Sequence, residues 1–161
     1  IGIKVAEIAQ AFGMKVLVYS RTKKPQYQNV NLKFVTLDEL LSTSDIVSLH
    51  CPLTNENKGL INSDALKKIK DGALLINTAR GPLVDEQAVR DALDSGKLRG
   101  YATDVLSSEP MSEDCPLLNA KNCVITPHVA WAAKETRERL LSIAVENLRS
   151  FLNGKVINRV N

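Results

Sequence analysis

Ala73-Leu74-Leu75-Ile76-Asn77-Thr78-Ala79-Arg80-Gly81-Pro82 is the stretch on which the fold turns. Its unbroken apolar run describes a strand of the kind buried on both faces, as in parallel sheets. The residues that follow place an asparagine, a threonine and an arginine at the strand's carboxyl end, and Gly81-Pro82 makes a tight turn that exposes Arg80 in a crevice. Two further runs have the same form. Tyr101 to Val105 leads into Leu106-Ser107-Ser108-Glu109-Pro110, and Cys123-Val124-Ile125 leads into Thr126-Pro127-His128-Val129-Ala130-Trp131. An arginine, a carboxylate and a histidine delivered this way can anchor an acid, tune an imidazole and move a proton. Such a set points to an enzyme.

Outward from that centre the pattern alternates. Ile1, Val5, Ile8, Ala9 and Phe12 follow helical spacing, with Gly13 as the stop. Lys15 to Tyr19 reads as a strand, and Thr36 with Glu39 forms a capping box for a helix carrying Leu37, Leu40 and Leu41. Ile46 to Leu49 is a strand and Ser63 to Lys70 a short helix. Asp85 caps a helix running to Ser95, with Val89, Ala92 and Leu93 inward and Gly96 as terminator. A last helix from about Ala132 to Leu152 is expected to bury Leu140, Leu141, Ala144, Val145, Leu148 and Phe151, and to end at Gly154. Strands alternating with helices predict an α/β fold with a doubly wound, Rossmann-like parallel sheet. The longest irregular stretch runs from Leu106 to Asn122, and long loops in compact domains tend to be functional.

Composition narrows the class. The 161 residues are one domain's length, 44% hydrophobic and 24% charged, with a net charge of +3. Basic residues are scattered and aromatics make up 4%, which gives nucleic-acid binding no footing. No apolar run approaches the roughly 20 residues of a membrane span. The cysteines Cys51, Cys115 and Cys123 form no CxxC pair and leave an odd thiol, which fits a reducing, cytoplasmic setting. With His50 and His128 as the only histidines, no metal site is expected.

Ile1-Gly2 opens a helix that leads to a strand and then to a polar residue about 20 positions on, as in the tail of a dinucleotide fingerprint. The residue after that strand reads the adenosine ribose, where NAD enzymes place Asp or Glu. Here Ser20, Arg21 and Thr22 follow Tyr19, with Lys23 and Lys24 behind. No carboxylate repels a 2′-phosphate, and Arg21 can pair with one bidentately. The expectation is NAD or NADP, leaning to NADP or dual use. A solvated basic loop is the alternative reading of the same charges.

Four ordered segments carry a family likeness: His50-Cys51-Pro52-Leu53-Thr54, Asn77-Thr78-Ala79-Arg80-Gly81, Thr103 to Pro110, and Thr126 to Trp131. In order and spacing the chain resembles the D-isomer-specific 2-hydroxyacid dehydrogenases. Leu106 to Pro110 and Trp131 look most like the glycerate dehydrogenase, or hydroxypyruvate reductase, branch. The resemblance implies reversible reduction of a 2-keto acid by NAD(P)H, with hydroxypyruvate or glyoxylate as substrate. D-lactate and 3-phosphoglycerate dehydrogenases, and a nucleotide-sensing corepressor of the same family, are the alternatives.

The resemblance assigns substrate carboxylate and keto oxygen to Arg80, proton transfer to His128, and a hydrogen bond to the imidazole to Glu109. It puts Asp104 at the nicotinamide end of the cofactor. Cys51, Pro52, Thr78, Ala79 and Ala130 would line the cofactor cleft, with Ser20 and Arg21 at the ribose and Ile1 and Gly2 at the pyrophosphate. Chemistry agrees with these roles. Keto-acid reduction builds charge on an alkoxide, so a cation and a proton donor lower the barrier. A guanidinium matches a carboxylate with two parallel hydrogen bonds, and a carboxylate beside an imidazole favours its protonated form.

Blander readings stand beside these. Glu109 shares its loop with Glu113 and Asp114 and reads equally as a solvated charge. Asp104 reads also as a structural carboxylate, His50 as a histidine that only caps or packs, and Cys51 and Cys123 as small core residues. Family members run to roughly twice this length and have a substrate domain before the nucleotide fold. The expectation is therefore a nucleotide-binding domain over 1–153, lacking its first strand and fingerprint glycines, with 154–161 returning to an absent domain. Such a piece alone is expected to be inactive and to bind dinucleotide poorly, while the family implies a homodimer paired through this domain.

Overall fold

The computed structural model describes residues 1–160, so Asn161, the end of the expected return segment, lies outside the described residues. The order is α1 (Gly2–Ala11), β1 (Val16–Val18), β2 (Leu32–Phe34), α2 (Leu37–Thr43), β3 (Ile46–Leu49), α3 (Ser63–Lys68), β4 (Ala73–Asn77), α4 (Glu86–Asp94), β5 (Leu98–Thr103), β6 (Cys123–Ile125) and α5 (Lys134–Leu152). Two compact units divide the chain, one from Ile1 to Pro127 and one from His128 onward.

Every pairing between strands is parallel, as the alternation predicts. The strands form a two-stranded sheet, β1-β2, and a four-stranded sheet, β3-β4-β5-β6. Among the described residues no strand joins β1 to β3, so the expected sheet is divided there. In the larger sheet β4 is flanked on both edges. Its faces are unequal: Ala73, Leu75 and Asn77 are buried, whereas Leu74 and Ile76 are half-buried. The core gathers Leu41, Val47, Leu49, Ile61, Leu66, Ile69, Leu75, Leu83, Val89 and Leu98. Each large apolar side chain sealed this way contributes about 1.5–3 kcal/mol.

Local signals set the helix ends. Thr36 Oγ1 accepts the Glu39 N–H at 3.2 Å, and Asp85 Oδ1 accepts the Ala88 N–H at 3.1 Å. α4 turns Ala88, Val89, Ala92 and Leu93 inward and stops before Gly96, at φ +76°. α3 ends two residues earlier than the spacing predicts and β5 begins at Leu98, three residues before Tyr101.

The largest departure is α5. None of its residues is buried, and Leu140, Leu141, Leu148 and Phe151 are 60%, 66%, 59% and 67% exposed. The helical period is right, but the expected burial is not. A single helix with a short tail has nothing within its own unit against which to bury a stripe.

Candidate active site

Parallel pairing brings strand ends level. Leu49 lies opposite Asn77, Asn77 opposite Thr103, and Thr103 opposite Ile125, so one row crosses the larger sheet at its carboxyl edge. The next residues, His50, Thr78, Asp104 and Thr126, leave the sheet along that edge. In open α/β sheets the crevice outside the carboxyl ends is where ligands bind.

At β4, Asn77 is fully buried. Its Oδ1 accepts the Ala79 N–H at 3.0 Å and its Nδ2 donates to Arg80 O at 3.0 Å. The turn is thereby closed, and Arg80 projects exposed from it, with Nη1 donating to Ala79 O at 2.6 Å. Thr78 is exposed and Ala79 half-buried. At β5, Asp104 is buried at 5% exposure and accepts the Thr126 hydroxyl. Beyond it Glu109 is exposed, and its Oε1 accepts the Leu106 N–H at 2.9 Å.

At β3, Asn57 shapes the loop after Cys51. Its Oδ1 accepts the Thr54 N–H at 2.7 Å and its Nδ2 donates to Pro52 O at 2.8 Å. Burial pushes the Cys51 thiol up, and the Cys123 thiol up to about 11. Both therefore remain thiols near neutrality, as the core reading of these cysteines expects.

The second unit opens with His128, exposed and at φ +54°. Side chains seldom enter this left-handed region, and such backbone collects at functional sites. The other described non-glycine residues with positive φ are all asparagines, Asn119, Asn122 and Asn158, which tolerate it best. Within the unit, the Trp131 indole N–H donates to His128 O at 2.8 Å and the Ala132 N–H to Val129 O at 2.9 Å. Ala130 lies in the same turn, exposed.

A cavity of about 470 Å³ lies in the first unit, lined among others by Ile1, Gly2, Ser20, Thr22, Lys24, Tyr27 and His50. α1 starts here with Ile1 as its N-cap and no side-chain cap, leaving the first-turn N–H groups to a ligand. A Cβ on Gly2 would stand 3.2 Å from His50 Cβ, a tight contact that the glycine relieves where the helix start passes the end of β3. A helix start without a side-chain cap and a cavity lined by Ser20 and Lys24 fit the pyrophosphate and ribose of a dinucleotide.

Ser20, Ile1 and Gly2 thus meet in one cavity, whereas Arg21 is not among its lining residues. Arg21 stands near the loop after β3, where it helps the Thr54 hydroxyl, the leading influence, to hold the Glu56 carboxyl below its usual range. Lys24 and Tyr27 line the cavity and were not singled out from sequence. Their nearness to a basic run was the available signal. Asn77 was also passed over as a positioning residue, although its place directly before the turn could have marked it.

Among the described residues, no group of three or more His, Cys, Asp or Glu side chains could hold a metal ion. No helix is long and apolar enough to cross a membrane.

The model of the D-isomer specific 2-hydroxyacid dehydrogenase NAD binding domain matches residues 1–130. The chain is 53% identical over 161 residues to a hydroxypyruvate reductase of Blautia hydrogenotrophica, covering all of this chain and 50% of that protein. Among solved structures, a D-lactate dehydrogenase from Aquifex aeolicus complexed with NAD and lactic acid aligns at TM-score 0.88 and 36% identity, over 96% of this chain and 51% of that one. An acyclic imino acid reductase in complex with NADPH and D-Arg aligns at TM-score 0.89 and 37% identity, over 100% of this chain and 50% of that one. The chain spans about half the length of the curated relatives it matches.

Proposed function

The chain belongs to the D-isomer-specific 2-hydroxyacid dehydrogenase family, and on that premise we propose that the whole protein interconverts 2-keto acids and D-2-hydroxy acids with a nicotinamide dinucleotide. Hydroxypyruvate or glyoxylate is the proposed substrate in the reducing direction, in keeping with the hydroxypyruvate reductase it resembles. One observation carries the reading. The level carboxyl ends of β3, β4, β5 and β6 set the Arg80 turn, Asp104 and Thr126 along one edge.

In this reading the N–H groups at Ile1 and Gly2 hold the pyrophosphate, and Ser20 and Arg21 hold the ribose end. Cys51, Pro52, Thr78, Ala79 and Ala130 line the cleft, with Asp104 at the nicotinamide. When bound, the nicotinamide supplies or accepts the hydride. Arg80 anchors the substrate carboxylate through its planar fork and draws charge from the keto oxygen. His128 delivers a proton to that oxygen and takes it back in oxidation. Glu109 orients the imidazole.

NADP or dual use is the cofactor reading. Lys24 lines the cavity, Arg21 stands in sequence between the lining residues Ser20 and Thr22, and no carboxylate follows β1. The free thiols Cys51, Cys115 and Cys123 suit a reducing, cytoplasmic setting. A homodimer belongs to the same reading, to be measured by sedimentation equilibrium.

Turnover of NADPH and NADH by the whole protein with a panel of 2-keto acids tests the proposal. Activity should be highest on hydroxypyruvate or glyoxylate, and His128→Ala should lower it about 10²–10⁴-fold. Cofactor binding without reduction of any keto acid would refute the enzymatic reading, and near wild-type rates in His128→Ala would remove the proton donor. Arg21→Ala should raise KM for NADPH and leave NADH nearly unchanged.

A further inference from the structure

Glu86 is the first residue of α4, half-buried, and it lies 21 positions before the loop it touches. Its Oε1 accepts the Ser107 N–H at 2.7 Å. The neighbouring N–H groups are also taken by side-chain oxygens. Thr103 Oγ1 accepts from Val105 N–H at 3.2 Å, and Glu109 Oε1 accepts from Leu106 N–H at 2.9 Å. Three successive backbone donors are thus held by three side chains.

Two of the three acceptors are carboxylates, Glu109 from the loop itself and Glu86 from α4. Charge-assisted hydrogen bonds of this length are roughly twice as strong as neutral ones. The other side of the loop is fixed by backbone. A Cβ on Gly81 would stand 2.0 Å from Leu106 C and 2.4 Å from Ser107 N, so the Arg80–Gly81 turn lies directly against these peptides. The contact between Glu86 and Ser107 ties α4 to the start of the loop carrying Glu109, while Arg90 of the same helix holds the loop's later part by donating to Pro116 O at 3.2 Å and Leu118 O at 3.3 Å.

We propose that Glu86 is a positioning residue for Glu109: by accepting the Ser107 N–H it holds the peptides of the turn against which the Glu109 carboxylate is set. The inference rests on the dehydrogenase reading for the role of Glu109, and on geometry alone for the role of Glu86. Without Glu86, the Ser107 donor turns to water, the turn loosens, and the Leu106 to Glu109 hydrogen bond loosens with it. The imidazole that Glu109 serves in the proposed reaction then loses part of what orients it.

The test compares Glu86→Ala and Glu86→Gln in the whole protein. Amide hydrogen exchange at Leu106 and Ser107 reads the position of the turn without any turnover. In Glu86→Ala both amides should lose protection; in Glu86→Gln, whose amide oxygen still accepts, both should keep it. For keto-acid reduction, Glu86→Ala should lower kcat about 10–100-fold with KM nearly unchanged. Glu86→Gln should restore it.

Unchanged protection at Leu106 in Glu86→Ala would overturn the proposal. So would lost protection with an unchanged kcat, since Glu86 would then serve stability alone. If the wild-type protein turns over no keto acid, the dehydrogenase reading fails instead, and exchange at Leu106 still decides whether Glu86 positions Glu109.

Discussion

Asn77 uses both ends of its side chain on the turn that presents Arg80. It has no exposed surface, and its partners are the Ala79 N–H and the Arg80 carbonyl. Truncating it leaves those two backbone groups to find other partners in a half-buried turn. Asn77→Ala should therefore cost about 2 kcal/mol of stability, measured by urea denaturation. Because Arg80 anchors substrate in the proposed reaction, the same change should raise KM for the keto acid more than it lowers kcat. Unaltered stability together with unaltered KM would show that the turn does not depend on this side chain. The residue type at Arg80 was legible from sequence because a strand end and a Gly-Pro turn flank it. The brace beneath it was less legible, since an asparagine before a turn has many possible uses. His128 was singled out for its place after a strand, and its left-handed backbone adds a feature that residue type alone does not reveal.

The elements differ in how much of them sequence reveals, and the difference follows the range of the interactions that make them. Caps are local: Thr36 and Asp85 bond to N–H groups three residues away, and both were readable in advance. The spacing of α5 was readable for the same reason, but burial is decided by what packs against a helix. Leu140, Leu141, Leu148 and Phe151 accordingly stand exposed where a buried face was expected. The loop from Leu106 to Asn122 shows the opposite case. It has no regular structure of its own, and Glu86 and Gly81 hold its start from afar. Gly81 makes the sharpest prediction at this scale. A methyl group there would overlap the Leu106 peptide, where no flexible side chain can yield. Gly81→Ala should lose at least about 3 kcal/mol, whereas removing the α4 cap by Asp85→Ala should lose about 1 kcal/mol. Urea midpoints of the two variants give the comparison, and equal losses would contradict the packing argument.

Across the first unit, parallel pairing followed from alternating strand and helix signals, while the partner of each strand, β2 for β1 and β4 for β3, did not. Pairing across a sheet is set by strands far apart in sequence, so periodicity within a segment carries no record of it. The same long-range packing gives the molecule an alkaline limit. Tyr101 on β5 lies opposite Leu75 of β4 and Cys123 of β6 and is 3% exposed. Burial pushes its phenol up to about 12, against smaller opposing contributions from Thr103 and Asn77, and pushes the Cys123 thiol up to about 11. Both groups are neutral when protonated, so the fold favours the protonated forms. The unfolded chain gives up the Tyr101 proton near pH 10 and the folded chain only near 12. Stability from this residue is therefore full below pH 10 and is lost as pH rises to 12. The loss amounts to about 3 kcal/mol for Tyr101, and Cys123 starts the decline earlier, near pH 9. Tyr101→Phe should cost about 1 kcal/mol at neutral pH and flatten the decline between pH 10 and 12, leaving the part due to Cys123. Denaturation curves of the two proteins at neutral and alkaline pH measure this directly. Parallel alkaline losses in both would mean that the buried phenol does not set the limit.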